Sequence, residues 1–367
     1  MKRPRVKHEH RPVRYGRNRI RIGGAVPGIA VDIDDRDGSV WALLQLLDGT
    51  RTVDQVIADL VHRFPQLDAD RVRTDIDDLA GRGHLEDAGR SAPPQLTARD
   101  LDRHARSQRL WQWIDDTPRA TRWHAQLALK QARVLLIGLG GAGSTAALAL
   151  TQSGVGVLHC LDFDAVEMSN LNRQILYTDD DLGRSKVAAA LDRLRAHNSD
   201  ITITGEHRAI DGPADVVTLA PGFDVVLLAA DRPREITSWV NHGCHATGTA
   251  WVHCGYHGPV VAVGSYQPDR TPCYDCVLAD ARDQRRRAGL RPVAPEPAPE
   301  RRPPAASNAV TAGTSGLLAA HAVMRLITGI PAQHTNTTVA LDLLTMTALP
   351  LAPVAHRPDC PTCDLTA

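Results

Sequence analysis

Two Cys-x-x-Cys motifs near the C-terminal end constrain the fold of this chain more than any other feature of its sequence. The first motif spans Cys273–Cys276 and the second spans Cys360–Cys363. Each motif presents two sulfurs to one point in space, so the pair suits tetrahedral zinc. A shared ion would fasten the end of the chain to residues near 275. We therefore predict a structural zinc site with four cysteine ligands; two separate redox-active pairs are the alternative.

The composition favours an intracellular globular protein. The 367 residues are 43% hydrophobic and carry a formal net charge of zero, which predicts neither a nucleic-acid partner nor membrane association. Seven cysteines, an odd number, argue against a disulfide framework and favour the cytoplasm. No apolar run approaches the roughly 18–20 residues of a membrane helix. The basic stretch 1–22 lacks the apolar core of a secretory signal, and we expect a disordered arm or a contact with an acidic peptide.

The first 90 residues predict a small α+β domain. Alternating apolar residues indicate a β-hairpin over 17–33, and three short amphipathic patterns follow it. With the Leu-Leu-Asp-Gly-Thr turn at 46–50 and the Gly-x-Gly-His-Leu stretch at 81–85, this arrangement resembles the PqqD-like peptide-recognition domain over about 15–90. The resemblance implies binding of the leader of a ribosomally made precursor peptide, as a strand added to the sheet edge. A generic winged-helix dimerisation module is the alternative.

The composition also predicts where domains and loops lie. Residues 91–103 form a predicted linker between a domain at 1–90 and a larger one at 104–367. A basic helix bearing Trp111 and Trp113, which we expect to be packing residues, is predicted over 98–116. Residues 281–306 hold six prolines and three consecutive arginines, and we predict a mobile loop there.

From residue 132 onward, strands and helices alternate in the predicted pattern. This alternation predicts an α/β fold of Rossmann-like type, with a doubly wound, mostly parallel sheet. A glycine-rich turn follows the first predicted strand and opens a helix, where backbone amides can approach phosphate. Asp162 ends the next strand, where an acid can bind ribose hydroxyls. These features alone fit a nicotinamide dehydrogenase equally well. The glycines of the turn are Gly138, Gly140, Gly141 and Gly143.

The following segment distinguishes a nicotinamide dehydrogenase from another kind of nucleotide-binding enzyme. Residues 162–186 contain the string Asp-x-Asp…Ser-Asn-Leu-x-Arg-Gln…Gly-x-x-Lys. This string closely resembles the ubiquitin-activating-like superfamily and, within it, the bacterial ThiF/MoeB-type adenylyltransferases, over about 104–365. Those enzymes activate a C-terminal carboxylate as an acyl adenylate and release pyrophosphate.

The resemblance implies a site for ATP and magnesium. Arg173 and Lys186 would contact the triphosphate and stabilise the transition state at the α-phosphorus. Asp231 would position magnesium, which prefers oxygen ligands. Arg109 resembles the arginine that a partner subunit inserts in dimeric relatives, which implies a homodimer. Besides the phosphate turn, the nucleotide-binding residues would be Asp162 at the ribose and Ser169, Asn170, Asn172 and Arg173 at the adenine and phosphates.

Two departures from the family pattern affect the predicted chemistry. Arg232 follows Asp231 where the family usually has asparagine. The predicted loop at 281–306 contains no cysteine, so we expect adenylation without a persistent enzyme thioester. The cysteines outside the two motifs are expected to be buried packing residues. Five side chains that lie near one another in the sequence could suggest a second metal site, but we interpret their histidines as solvated or hydrogen-bonded within the protein. The three cysteines are Cys160, Cys244 and Cys254; the groups are His242, Cys244, His245, His253 and His257.

The sequence thus predicts a zinc-stabilised, ATP-dependent adenylyltransferase with a fused leader-recognition domain. Its expected substrate is a carboxylate of a ribosomally synthesised precursor peptide. One alternative substrate is a ubiquitin-like sulfur-carrier protein ending in Gly-Gly. Another alternative is a non-catalytic partner that presents leader peptide to a cyclodehydratase.

Overall fold

In a computed structural model, the described residues are 1–290, 306–331, 338–349, 351 and 353–363. The chain divides into two compact units: Met1–Ala128 with Thr328–Gln333, and Leu129–Ile327 with His334–Ala367. It passes from the first to the second within helix α6 (His124–Gln131). The first unit includes the predicted linker 91–103. The functional division into 1–90 and 104–367 stays a prediction.

The predicted N-terminal hairpin is confirmed. Strands β3 (Arg19–Ile22) and β4 (Val31–Asp34) pair antiparallel, and β2 (Val13–Tyr15) adds to the other side of β3. Alternation along β3 buries Ile20 and Ile22 and exposes the arginines between them. Side chains of a strand alternate between its two faces, so the alternating apolar residues in the sequence correctly predicted this strand.

Three helices pack on the apolar face of this sheet. They are α1 (Ser39–Leu46), α2 (Val53–Arg63) and α3 (Ala69–Gly81). The Thr52 side chain caps α2 in a reciprocal arrangement with Gln55, and Asp68 caps α3. The buried cluster contains the residues that the helical patterns predicted, among them Leu43, Leu44, Leu47, Val56, Leu60, Val72 and Ile76.

The prediction of a disordered N-terminal arm is wrong. Strand β1 (Pro4–Val6) pairs antiparallel with β5 (Leu85–Asp87). The backbone N–H groups of residues 2 and 3 donate to Asp87, and Arg5 forms an ion pair with Glu86 at 2.7 Å. The acids that hold this arm lie about 80 residues away in the chain, so local composition gave no sign of the pairing.

A buried histidine pair lies beneath this arm. His10 and His84 are 1% and 3% exposed, and their Nδ1 atoms are 3.0 Å apart. His10 Nε2 lies 2.8 Å from the carbonyl oxygen of Trp113, which can only accept, so this nitrogen carries a proton. His10 Nδ1 in a neutral ring is then the acceptor, and His84 Nδ1 donates to it. Burial lowers the pKa of both rings, that of His84 to about 4.

This pair predicts loss of stability in acid. The unfolded chain takes up the proton near pH 6.5 and the folded chain only near pH 4, so the free energy of unfolding should fall as pH decreases between those values. We expect a loss on the order of 1–3 kcal/mol. Chemical denaturation at pH 7.5 and 4.5 measures it. A His84→Gln variant can still donate to His10 and should show a smaller pH dependence; an equal dependence would contradict the assignment.

The single helix predicted over 98–116 is two helices, α4 (Ala98–Arg103) and α5 (Ala105–Ile114). His104 leaves the helical conformation between them while its N–H still bonds to the carbonyl of Asp100. Trp111 is buried, as predicted, and the Trp113 ring nitrogen donates to the carbonyl of Gly23 at 3.3 Å. The two tryptophans therefore pack within the first unit.

The second unit is built on one eight-stranded sheet, which confirms the predicted α/β class. Its order is β13-β12-β11-β10-β9-β6-β7-β8, and the last five strands of that order are parallel. The antiparallel strands β11, β12 and β13 were not predicted. In chain order the strands are β6 (Arg133–Ile137), β7 (Val157–Asp162), β8 (Thr202–His207), β9 (Val225–Leu228), β10 (Ala250–His257), β11 (Val260–Tyr266), β12 (Thr338–Asp342) and β13 (Thr347–Leu349).

Helices cover both faces of this sheet. One buried cluster centres on Leu136 and Leu158, and the other on Leu135 and Val226, so alternate residues of the same strands point to opposite faces. The helices are α7 (Gly141–Ser153), α8 (Lys186–His197), α9 (Pro213–Leu219), α10 (Ile236–Ala246), α11 (Tyr274–Arg287) and α12 (Ala309–Thr328). Because α11 continues to Arg287, the predicted mobile loop is wrong for 281–287; its stretch 291–305 lies outside the described residues.

Helix α12 corrects a second expectation. An 18-residue stretch of this 20-residue helix has a mean hydropathy of 1.3, so by length and composition it could cross a membrane, whereas the sequence analysis found no such segment. Core helices of globular proteins meet the same criterion. Ala319, Ala320 and Val323 of this helix are fully buried in the cluster that contains Leu136. This face of α12 is therefore a packing face of the sheet.

Candidate functional site

The strand order places a crevice at the carboxyl end of β6. The chain continues from β6 to β7 and β8 on one side, and later returns to β9 on the other side. In such open sheets, the point where the order reverses leaves a crevice that commonly binds ligands. The predicted glycine turn follows β6 and Asp231 follows β9, so both lie at this switch point.

The glycine turn is shaped by close backbone contacts. Gly138 has a φ of 97°, and a Cβ there would lie 2.8 Å from the carbonyl oxygen of Ala229. A Cβ at Gly143 would overlap the carbonyl oxygen of Gly138. The turn therefore enters α7 tightly, with the first N–H groups of that helix unpaired within it and its positive dipole end at the crevice. This is a favourable place for a phosphate.

Two glycines of the turn give a matched test of this geometry. Gly143→Ala should lower the melting temperature of the second unit and weaken nucleotide binding at least about tenfold, because the added methyl group collides with backbone. Gly140→Ala should leave stability nearly unchanged, because its φ of −69° suits any residue and no atom lies within 4 Å of the new Cβ. Thermal melting and titration with ATP measure both. Equal behaviour of the two variants would refute the close contact.

Asp162 holds the turn in place. Its carboxylate, buried at the end of β7, accepts from the N–H of Leu139 at 2.7 Å and from the N–H of Asp164 at 2.8 Å. Each oxygen keeps acceptor capacity for a further hydrogen bond. The structure thus places Asp162 directly beside the glycine turn, in a position to bind a hydroxyl.

Arg173 lies over the same turn. Its side chain would contact a Cβ at Gly141 at 3.3 Å, and its Nη1 donates to the carbonyl of Ser169 at 2.7 Å and to the side chain of Asn172 at 3.0 Å. The Arg173 Nε atom is buried and has no hydrogen-bond partner among the described residues. Asn170 is buried and accepts from the N–H of Glu167, so it closes the short helical turn that carries Ser169.

The buried Lys186 forms an ion pair with the partly buried Asp164 that the sequence analysis did not identify. Its Nζ lies 2.9 Å from Asp164 Oδ2, and its side chain is only 6% exposed. Arg232 Nη2 approaches the same oxygen at 3.4 Å from a side chain that is 72% exposed. Asp164 is the second aspartate of the Asp-x-Asp string, so the sequence pattern included it, but its pairing with Lys186 was not predicted.

The remaining predicted site residues differ in their surroundings. Asp231 is exposed and has no ion pair or hydrogen bond among the described residues. Tyr177, which the sequence analysis missed, donates its hydroxyl to the carbonyl of Leu139 at 3.0 Å, and burial raises its pKa. Arg109 lies in the first unit, half exposed, 3.4 Å from Glu9. Thus all of the predicted nucleotide-site residues except Arg109 belong to the second unit.

The four motif cysteines come together as predicted. Their sulfurs all lie within 4.8 Å of one another, with Cys273–Cys276, Cys273–Cys360 and Cys276–Cys363 separations of 3.9, 3.4 and 3.7 Å. Tetrahedral zinc with bonds of about 2.3 Å has sulfur–sulfur edges of about 3.8 Å. Burial raises the pKa of the Cys276 thiol to about 11, which favours the protonated form. A bound cation would favour its ionisation to the thiolate, the form that binds metal. The cluster can therefore hold one metal ion.

A buried amide connects the two cysteine motifs. Asn241 of α10 is fully buried; its Oδ1 accepts from the N–H of Tyr274, and its Nδ2 lies 3.2 Å from Asp275 and 3.4 Å from the Thr362 hydroxyl. His242 also contacts Asp275, at 3.0 Å. No sequence signal pointed to Asn241, because it lies outside both motifs.

The other cysteines and histidines have ordinary packing positions. Cys160, Cys244 and Cys254 are all buried, as predicted, and burial raises the pKa of Cys160 and of Cys254 to about 12. These thiols are therefore protonated near neutral pH. His253 is half-buried, with its ring 6.5 Å from that of Trp251 and 5.8 Å from that of Tyr274.

Residues 110–362 match the ThiF family. The chain belongs to this family. The molybdopterin-synthase adenylyltransferase of Escherichia coli is 39% identical over 155 residues, which are 41% of this chain and 61% of that protein. The SAMP-activating enzyme E1 of Haloferax volcanii is 31% identical over 239 residues, 64% of this chain and 81% of that protein.

Solved structures resemble this chain over nearly its whole length. A crystal structure of Escherichia coli MccB covers 98% of this chain and 96% of its own, with a TM-score of 0.78 at 19% identity. PaaA covers 95% and 100%, with a TM-score of 0.69 at 22% identity. These likenesses show that the fold is shared. The chain spans about three fifths of the first curated relatives it matches, the molybdopterin-synthase adenylyltransferases.

Proposed function

We propose that this ThiF-family chain is an ATP-dependent adenylyltransferase that activates a carboxylate of a ribosomally synthesised precursor peptide. The observation that carries the proposal is the arrangement at the switch point, where the glycine turn meets the partly buried Lys186–Asp164 pair and Arg173. A carboxylate oxygen of the peptide attacks the α-phosphorus of ATP. The bond from that phosphorus to the bridging oxygen breaks, and pyrophosphate leaves with its electron pair.

The side chains at the crevice would divide this work. The helix N-terminus after the glycine turn binds phosphate, and Asp162 accepts from a ribose hydroxyl with its spare acceptor capacity. Arg173 and Lys186 offset the charge that develops on the departing pyrophosphate. Asn170, Asn172 and the carbonyl of Ser169 orient Arg173 through the contacts described above.

Asp231 would hold magnesium. It is exposed at the carboxyl end of β9, beside the glycine turn, and its carboxylate has no partner among the described residues. A carboxylate together with phosphate oxygens is a favourable ligand set for this ion. Magnesium there would neutralise charge on the triphosphate.

No cysteine of this chain would take over the acyl group from the adenylate to form a thioester. All seven cysteines lie among the described residues, three as buried thiols and four in the cluster. The cluster would hold structural zinc, because all four ligand positions are taken by protein sulfur. A nucleophile from outside the chain would then capture the adenylate.

The first unit would bind the leader of the precursor peptide. Its three-stranded sheet, with helices α1, α2 and α3 on one face, has open edges for an added strand, as the resemblance to PqqD-like domains implies. Holding the leader on a fused domain raises the effective concentration of the carboxylate at the site. A homodimer in which Arg109 reaches the partner's nucleotide, and a location in the cytoplasm, belong to the same proposal.

A second candidate substrate is a small carrier protein. Relatives of this chain include the sulfur carrier protein ThiS adenylyltransferase of Bacillus subtilis, 36% identical over 156 residues, 42% of this chain and 46% of that protein. The solved MccB structures include complexes with MccA, and MccB is the biosynthetic enzyme of microcin C7. The extent of the match to MccB, which includes the first unit, favours the peptide.

ATP–pyrophosphate exchange tests the proposal. The purified protein, supplied in turn with a candidate precursor peptide and a carrier ending in Gly-Gly, should exchange label only with its cognate partner. Asp231→Ala should reduce the exchange rate by about 100-fold or more, because the magnesium ligand is lost. Asp224→Ala, a change in the loop before β9 and away from the switch point, is the control. Absence of exchange with either partner would favour a leader-presenting protein without catalysis.

A further inference from the structure

A polar pocket in the first unit has no place in the function described so far. It has a volume of about 140 Å³ and lies where the turn from β2 to β3 meets the end of β4. One water molecule needs only about 10–15 Å³ by such a measure. Four arginines line this pocket, which we call the arginine pocket: Arg14, Arg17, Arg19 and Arg36, around the single acid Asp35.

The charges of the pocket are unbalanced. Arg17 and Arg36 form no ion pair or hydrogen bond with any described residue. Arg19 contacts Asp34 at 3.5 Å, but both side chains are more than half exposed, which makes such a pair weak. Four arginines therefore line a pocket that has one carboxylate.

That carboxylate is already occupied. The Asp35 side chain is 3% exposed and accepts from the N–H groups of Val40 and Trp41 in the first turn of α1, at 3.1 and 3.3 Å. Arg14 reaches the same carboxylate only at 3.7 Å. Asp35 therefore uses its hydrogen-bonding capacity mainly on helix α1. An anion that enters the pocket could form ion pairs with Arg17 and Arg36, which form none with described residues.

The surroundings favour a peptide carboxylate over nucleic acid. Single-stranded nucleic acids bind where cations alternate with open aromatic faces. The aromatic rings near this pocket already have an arginine over them: the Arg14 guanidinium lies 4.5 Å from the centre of the Trp41 ring, and that of Arg21 lies 5.4 Å from the centre of the Tyr15 ring. Strand β2 leads into the pocket and pairs only with β3 among the described residues, and its Val13 is 61% exposed. An extended peptide along β2 would bring a side chain to the arginines.

We propose that the arginine pocket binds acidic side chains of the peptide that the first unit recognises. Guanidinium groups match carboxylates in geometry and charge, and their paired hydrogen bonds discriminate against amides of the same shape. The proposal deepens the function proposed above by naming the chemistry of the peptide: a segment with clustered aspartate or glutamate. It concerns binding alone and does not require adenylation.

Peptide binding to the full chain, without nucleotide, tests the pocket. The probe is a short fluorescent peptide of glycine, serine and leucine with three consecutive glutamates; its matched control has glutamines instead. We expect the glutamate peptide to bind at least about tenfold more tightly at low ionic strength. The double change Arg17→Gln and Arg36→Gln should remove most of that preference. Arg82→Gln, which removes an exposed arginine of the same unit outside the pocket, should leave it intact.

Three results would overturn the proposal. They are equal affinity for the two peptides, an equal loss in the Arg82→Gln control, and tight binding of an oligouridylate that depends on Arg17 and Arg36 while the glutamate peptide does not bind. Failure of the proposed adenylation would be seen separately, as absence of pyrophosphate exchange. The substituted residues Arg17, Arg36 and Arg82 are all exposed, so the variants should fold normally.

Discussion

Replacement of Lys186 by methionine should reduce ATP–pyrophosphate exchange by about 100- to 1,000-fold. Lys186 opens helix α8 and is almost fully buried, so its charge acts in a site from which water is largely excluded. Fixed charges aimed at a developing negative charge contribute most under those conditions. Methionine keeps the length and the apolar stem of the side chain, so the change removes the ammonium group with little loss of packing.

The ion pair with Asp164 makes a sharper version of this experiment possible. Lys186→Met leaves the Asp164 carboxylate with Arg232 as its remaining side-chain partner, so part of the effect could come from an unpaired charge. Asp164→Asn removes that charge, and the double variant removes both. If Lys186 contacts phosphate, the double variant stays as inactive as Lys186→Met. Recovery of exchange in the double variant would show that Lys186 only neutralises Asp164.

The second unit was predictable because its signals are local. A strand, a glycine turn and a helix follow one another directly in the sequence, and the parallel order follows from the alternation of strands and helices. The position of Asp162 at the end of a strand and the meeting of the four cysteines were predictable for the same reason. The partners of these residues were harder to predict. Asp164 and Asn241 gain their importance from contacts that only the folded chain brings together.

The N-terminal arm shows the opposite case. Its arginines and lysines are typical of a disordered tail, yet Pro4–Val6 pairs with a strand at Leu85–Asp87 whose own acids complement it. A three-residue strand carries almost no periodic signal, and its partner lies far along the chain. Strands β12 and β13 were missed for a related reason, since they are short and follow a long gap after β11.

Loss of one cysteine ligand should have the largest effect on stability. Cys360→Ser should abolish zinc binding and lower the free energy of unfolding of the second unit by at least about 4–5 kcal/mol. The second motif follows a segment with little regular structure, and Cys360 is buried against Cys273. Without the ion, the three remaining thiols, two of them buried, and the amide of Asn241 lose the geometry that joins them. Metal analysis and urea unfolding measure the two effects together.

The buried cysteine of strand β10 supplies the matched control. Cys254 is 5% exposed and its sulfur donates to the carbonyl of Leu228 at 3.7 Å, outside the cysteine cluster, so Cys254→Ala should keep the full zinc content. Its cost should be that of a small cavity, about 1 kcal/mol. If both variants kept the metal and unfolded alike, or if a strong chelator with thiol alkylation left the wild-type stability unchanged, the cysteine cluster would not be a structural metal site. A large difference confined to Cys360 would instead mean that the ion, and not the packing of the thiols, holds the end of the chain to helix α11.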